Sequence, residues 1–137
     1  MTLEEGYFEL CHYTLTHGDR QRFVHQHLVD AHTAQTADAG TKPIAVVYAL
    51  AGLYLTVEKN YTGLQVQQAH QTLSKNKTNL PRIALPDKRG DITVLTVLDI
   101  PPGPERDEMI RRWCASVWGA YAHAGDTIRR YCDENLR

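Results

Sequence analysis

The residues best suited to chemistry are concentrated in the segment HQHLVDAH, residues 25–32, which holds three of the seven histidines and an aspartate. In a helix, His27 and Asp30 are three positions apart and therefore lie on one face. His25 and His32 lie on the other flank, but they are two turns apart, about 10.5 Å along the axis. A single small ion is poorly placed to bind both of them, so the spacing favours the pair of His27 and Asp30.

An imidazole and a carboxylate on one helix face can bind a metal ion or transfer protons. Metal-binding bundles use Glu-x-x-His in this way, and this sequence has one copy in the reversed order, His-x-x-Asp. A metal ion would need further ligands from other helices. Imidazole together with carboxylate suits zinc, iron or manganese rather than magnesium or calcium. The candidate ligands are His12, His17, His25, His27, Asp30, Glu58 and His70.

The same residues also have a purely structural interpretation. A histidine on an apolar helix face is commonly a core residue, hydrogen-bonded to the backbone or to a side chain. An aspartate three residues later can be the partner that fixes its tautomer. The high histidine count favours a functional site, but composition alone does not bring the imidazoles together. Both interpretations of His27 and Asp30 therefore stay open at the level of sequence.

Apolar periodicity predicts an all-α fold, an up-and-down bundle of five or six helices that forms a single domain over residues 1–137. The run IAVVYALAGLYLTV is apolar on nearly every side, which indicates a helix in the middle of the bundle. Gly18 is suited to end the first helix and Asp19 to cap the second. The predicted helices cover residues 3–15, 20–35, 43–59, 63–75, a short stretch within 92–100, and 104 to beyond 121.

Local signals define several of these boundaries. Pro43 suits the first turn of the third helix, and Pro104 begins the last one. Thr62 is a plausible N-cap for the fourth helix. Residues 92–100 are ambiguous, because their β-branched side chains suit a strand while Thr93 suits a helix cap. The short helix is favoured because the sequence offers no second strand for pairing.

Composition disfavours several classes of partner. The chain has 15 Lys and Arg against 16 Asp and Glu, and no basic stripe with interleaved aromatic residues, which argues against nucleic-acid binding. The longest apolar run is shorter than the roughly 20 residues that cross a bilayer. The acidic N-terminus lacks the features of a secretion signal. Three cysteines without CxxC spacing suggest reduced thiols. We therefore expect a cytoplasmic protein without membrane attachment.

Four runs of this sequence resemble a family of small helical bacterial proteins that is catalogued as a domain of unknown function. They are VHQHLVDAHTAQ, YALAGLYLTVEK, DITVLTVLDIPPGPERD and WCASVWGAYAH. The shared strings are HQxxVDAxxxQ, from His25 to Gln35, and WxxSVW, from Trp113 to Trp118. The resemblance implies a shared helical fold and directs attention to His25, Asp30 and Gln35 as candidate catalytic residues. It implies no activity. Many members carry an N-terminal CxxCG segment, which this sequence lacks.

The family string emphasises His25 where the helical spacing emphasises His27, and both stay candidates. One functional hypothesis is a small metal-binding or acid–base enzyme that acts on a small molecule. The alternative is a non-catalytic module that binds a ligand or a partner, for example as a homodimer. Its last helix would then present an exposed aromatic face formed by Trp113, Trp118 and Tyr121. A water-filled cavity that reaches His25 or His27 would favour the enzyme hypothesis.

Other reactive or charged residues are expected to have structural roles. Cys114 is expected to be a buried structural thiol, and the pairs Arg111–Arg112 and Arg129–Arg130 are expected to lie on solvated helix faces.

Overall fold

A computed structural model of the chain describes residues 1–17, 20–75 and 79–136, which form seven α-helices, one 3-10 turn and no strand. The helices are α1 (Leu3–His17), α2 (Val24–Thr36), α3 (Pro43–Glu58), α4 (Gly63–Leu73), α5 (Val94–Leu98), α6 (Pro104–Ala120) and α7 (Gly125–Asn135). The prediction of an all-α fold is confirmed. The count exceeds the predicted five or six because the 3-10 turn Ala122–Ala124 separates α7 from α6.

The central position predicted for the third helix is confirmed. Helix α3 packs against α2, α4, α6 and α7, and side chains on all its sides are buried. An apolar surface that surrounds a helix can be removed from water only if neighbours cover each side. Helix α3 is therefore the central helix of the bundle, and α2, α4 and α6, which carry the polar side chains described below, pack around it.

Helix starts follow the local signals closely, with one exception. Thr62 caps α4 and Thr93 caps α5, each through a capping box, while Pro43 and Pro104 occupy first turns. The second helix begins at Val24 rather than near residue 20, because Phe23 adopts a left-handed conformation with φ 46°. A helix cannot include such a residue. The roles predicted for residues 18 and 19 lie outside the described residues.

The expectation of an exposed aromatic face on α6 is wrong. Trp113 and Tyr121 are 0% exposed and Trp118 is 7% exposed, so all three rings belong to the core. Cys114 is buried, as predicted, and burial raises the pKa of its thiol, which makes it a poor nucleophile. No helix in the described part of the chain combines the length and the apolar character needed to span a bilayer.

Candidate functional site

Helix α2 directs its polar residues toward two different parts of the core. His27 is 1% exposed and Asp30 is 3% exposed, so both point inward, as their spacing predicts. The two side chains are not hydrogen-bonded to each other, however. His27 contacts α3 and α6, while Asp30 contacts Gln26 on its own helix and approaches α4. The predicted pair is therefore divided between two polar sites.

The bonding partners of His27 fix its tautomer. Its Nε2 lies 3.4 Å from Nη1 of Arg111, and its Nδ1 lies 3.0 Å from Oγ1 of Thr56. A guanidinium can only donate, so Nε2 accepts and the ring proton resides on Nδ1, which donates to Thr56. Burial, together with the charge of Arg111, lowers the pKa of His27 to about 4. The imidazole is consequently neutral at pH 7.

Arg111 is held by neutral groups alone. Its Nη2 donates to Oδ1 of Asn60 at 2.8 Å, and its Nη1 donates to His27. Among residues 1–17, 20–75 and 79–136, no carboxylate forms an ion pair with this guanidinium. Of the five N–H groups of an arginine, these bonds use two. The half-buried cation is therefore oriented but not neutralised.

A cleft of about 300 Å³ opens beside this guanidinium. It lies between the start of α2, the turn that precedes α4 and the first turns of α6, and His27 forms part of its wall. The polar side chains that line it are Arg22, Asn60, Thr62, Asp107, Glu108 and Arg111. His27, one of the two histidines singled out by the sequence, thus borders the cleft, but its ring is almost fully shielded from solvent because the residue is 1% exposed.

The second site is a buried polar cluster formed by Gln26, Asp30 and His70. Asp30 Oδ1 accepts from Nε2 of Gln26 at 3.1 Å, whereas Asp30 Oδ2 has no hydrogen-bond partner and lies 3.9 Å from His70 Nε2. Burial raises the pKa of Asp30 well above its ordinary value. The His70 imidazole donates from Nε2 to the carbonyl oxygen of Tyr48 at 2.8 Å. Its Nδ1 therefore accepts from Gln26, at 3.4 Å.

Solvent reaches this cluster poorly, because the side chains of Asp30 and His70 are only 4% and 18% exposed. Burial also lowers the pKa of His70, so both groups favour their neutral forms. A neutral cluster of this kind can stabilise the packing of α2 against α3 and α4. The unpartnered Oδ2 lies directly against Gly52 of α3, where the absence of a side chain leaves room for the carboxyl group.

The remaining candidate ligands have separate partners. His25 Nδ1 bonds to Thr14 at 3.0 Å, and the exposed His17 bonds to Thr16. Glu58 accepts from Arg129 and from Trp118 Nε1, so both of its oxygens are occupied. Across the described ranges, no group of three or more His, Cys, Asp or Glu residues is arranged to hold a metal ion. Of the predicted ligands, Asp30 and His70 are thus brought together in the buried cluster, whereas His17, His25, His27 and Glu58 are each bonded elsewhere.

Sequence reasoning missed Arg111 and Asn60. Arg111 was expected on a solvated face as half of a basic pair, but it is half-buried and bonded to His27, while Arg112 is exposed. Its position in the sequence indicates this burial, because Arg111 lies three positions before Cys114 and seven before Trp118. Residues at these spacings share one helix face, and both of those residues are buried.

Gln35, the third candidate catalytic residue, links three segments. Its Oε1 accepts from Nε1 of Trp113 at 3.0 Å, and its Nε2 donates to the carbonyl oxygens of Ile92, at 2.6 Å, and Arg89, at 3.2 Å. Every polar atom of the side chain therefore has a protein partner. This contact joins the HQxxVDAxxxQ segment of α2 to the WxxSVW segment of α6.

A family model described as a family of unknown function (DUF5946) matches residues 5–122. The chain belongs to this family. The resemblance detected in the sequence is thereby confirmed, and the matched region contains the cleft, the buried cluster and the Gln35–Trp113 link. Neither a curated protein nor a solved structure matches the chain. The two polar sites are the features of the described structure that bear on its function.

The Gln35–Trp113 link can be tested with paired substitutions. Trp113→Phe removes the donor to Oε1 of the half-buried Gln35, and we expect it to destabilise the protein by about 1 kcal/mol beyond the loss of packing. Trp118→Phe is the matched control, because the indole N–H of Trp118 donates to the more exposed Glu58. Urea unfolding of both variants measures the difference. Equal losses of stability would contradict a special role for the Gln35 bond.

Proposed function

We propose that this protein binds a small molecule through an oxyanion group, a carboxylate or a phosphate, in the cleft beside Arg111. The observation that carries the proposal is the guanidinium itself. It is fixed in place by His27 and Asn60, it lacks an ion-pair partner among the described residues, and it borders an open cleft.

Arginine is well suited to such a role. Its planar guanidinium presents parallel N–H donors that match the oxygens of a carboxylate or a phosphate. Two neutral acceptors orient Arg111 without cancelling its charge, so an anionic group would meet a fixed cation. Asp107 and Glu108 line the same cleft but form no ion pair with Arg111. The exposed Arg22 adds a second positive group to the same cleft. A volume of about 300 Å³ suits a compact ligand.

In this proposal His27 is a positioning residue. The ring nitrogen that faces the cleft accepts a hydrogen bond from Arg111 and is therefore already occupied. This arrangement supports binding better than proton abstraction, which would need a free lone pair directed at the ligand. It corresponds to the ligand-binding alternative among the sequence-based hypotheses. The three free cysteines support a cytoplasmic location for such a protein.

Removal of the cation provides the direct test. We expect the wild-type protein to bind butanoate or inorganic phosphate, and we expect Arg111→Gln to weaken that binding at least about tenfold. Arg111 is only half-buried, so the fold should persist in this variant, which circular dichroism would verify. Two-dimensional NMR titration of labelled protein measures weak affinities of this kind.

Arg112→Gln is the matched control, since it removes the same charge from the exposed neighbouring position. Its affinity for either anion should equal that of the wild-type protein. The proposal would be overturned if neither anion bound the wild-type protein. It would also be overturned if both arginine variants lost affinity equally, because the effect would then reflect net charge rather than the cleft.

A further inference from the structure

The cleft contains two carboxylates that could have neutralised Arg111 but do not. Asp107 precedes Arg111 by four positions on α6 and Glu108 precedes it by three, the spacings at which helical ion pairs commonly form. In the described structure neither carboxylate is paired with the guanidinium. All three side chains line the cleft. The cleft is therefore lined by one guanidinium and two carboxylates that are not paired with each other.

Separate contacts hold Asp107 and Arg111 apart. Arg111 is turned toward His27 and Asn60, as described above. Asp107 Oδ1 accepts from the hydroxyl group of Tyr13 at 3.0 Å, and that hydroxyl oxygen accepts in turn from the backbone N–H of Gly103 at 3.1 Å. The Asp107 carboxylate is the nearer acceptor for the Tyr13 hydroxyl, since the other one, the carbonyl oxygen of Gly103, lies at 3.4 Å. The position of this carboxylate is thus fixed by the protein before any ligand arrives.

We infer that the ligand is a short aminocarboxylate, whose carboxylate binds Arg111 and whose ammonium group binds between Asp107 and Glu108. This inference rests on the proposed function. A ligand with only a negative group would gain the attraction of Arg111 but also meet two uncompensated carboxylates. A ligand that carries both charges satisfies both sides of the cleft. The three residues lie within about one turn of α6 and the cleft holds about 300 Å³, so the ligand is a short one.

A matched ligand series tests this inference. Butanoate, butylamine and 4-aminobutanoate share a four-carbon chain and differ only in their charged ends. We expect 4-aminobutanoate to bind the wild-type protein at least about tenfold more tightly than butanoate, because it adds one charge-assisted contact. Glu108→Gln should reduce that advantage to less than about threefold without weakening the binding of butanoate. Glu105→Gln, an exposed position three residues earlier on α6 and outside the cleft lining, should preserve it.

The outcomes separate this inference from the proposed function. If butanoate binds through Arg111 and 4-aminobutanoate binds no more tightly, the aminocarboxylate inference is wrong while the oxyanion site stands. If the advantage of 4-aminobutanoate survives in Glu108→Gln and in Glu105→Gln alike, the cleft carboxylates do not recognise the ammonium group, and the inference again fails. If no carboxylate compound binds but inorganic phosphate does, the aminocarboxylate inference is wrong and the oxyanion site stands. If neither binds the wild-type protein, both proposals fail together.

Discussion

Gly52→Ala is expected to destabilise the protein by about 3 kcal/mol, at the upper end for overpacking of a core. In a helix interior the same substitution usually stabilises, by about 0.5–1 kcal/mol. Here the new Cβ would overlap Oδ2 of Asp30, lie 2.6 Å from its Cγ and lie 3.1 Å from Val66 Cγ1. Asp30 has little freedom to move away, because it is 3% exposed and Gln26 holds its other oxygen.

Two further variants identify the cause of that loss. Gly119→Ala, also within a helix, places its Cβ in open space, so it should stabilise the protein by about 0.5–1 kcal/mol. Asp30→Ala removes the carboxyl group that the new Cβ would meet. In an Asp30→Ala background, Gly52→Ala should therefore cost far less than in the wild-type protein, which a double-mutant cycle in urea measures. An undiminished cost in that background would show that another contact excludes the methyl group.

The sequence predicted the features of this fold that are determined locally. The centre of the bundle is recognisable because α3 is apolar around its whole circumference, and only a surrounded helix can bury such a surface. The starts of α4 and α5 are recognisable because Thr62 and Thr93 satisfy backbone N–H groups within their own first turns. Prolines at the starts of α3 and α6 act in the same local way.

The candidate site could be predicted only in part, because its bonds join residues distant in the chain. Helical spacing correctly directs His27 and Asp30 inward, but it does not determine which neighbour each one meets. His27 meets Thr56 and Arg111, which come from two other helices. Asp30 approaches His70, forty positions away along the chain. Such pairings follow from the packing of whole helices, and a single helical wheel contains no information about that packing.

The late start of α2 shows the same limitation. The left-handed backbone conformation of Phe23 is costly for every residue except glycine. Local sequence rules therefore do not predict it at this position. In this conformation the backbone of Phe23 packs closely against Gly63, because its carbonyl oxygen occupies the space that a Cβ of Gly63 would need. The contact that favours this backbone is supplied by α4, forty residues later. The two residues on either side of Phe23, Arg22 and Val24, line the edge of the cleft.

Acidification should destabilise the wild-type protein through His27. The pKa of this imidazole is about 4 in the folded protein against 6.5 ordinarily, so between pH 6.5 and pH 4 the unfolded chain binds more protons. Its contribution to stability is complete above pH 6.5 and is lost as the pH falls toward 4. The free energy of unfolding should therefore fall by about 3 kcal/mol from this residue alone, since each pKa unit corresponds to about 1.4 kcal/mol.

The variant His27→Gln isolates that contribution. Glutamine does not titrate, and its amide can still donate to Thr56 and accept from Arg111. Burial also lowers the pKa of His25, His32 and His70, and it raises that of Asp30, but these groups are present in both proteins. Their effects therefore cancel in the difference between the two proteins.

Urea unfolding between pH 7 and pH 4 measures that difference. The variant should be less stable than the wild-type protein at pH 7, and the gap should close or reverse toward pH 4, because only the wild-type protein must then protonate a buried ring beside a guanidinium. Parallel curves over this interval would mean that the pKa of His27 is the same in the folded and unfolded states. The neutral acceptor that orients Arg111, and with it the proposed oxyanion site, would then lose its physical basis.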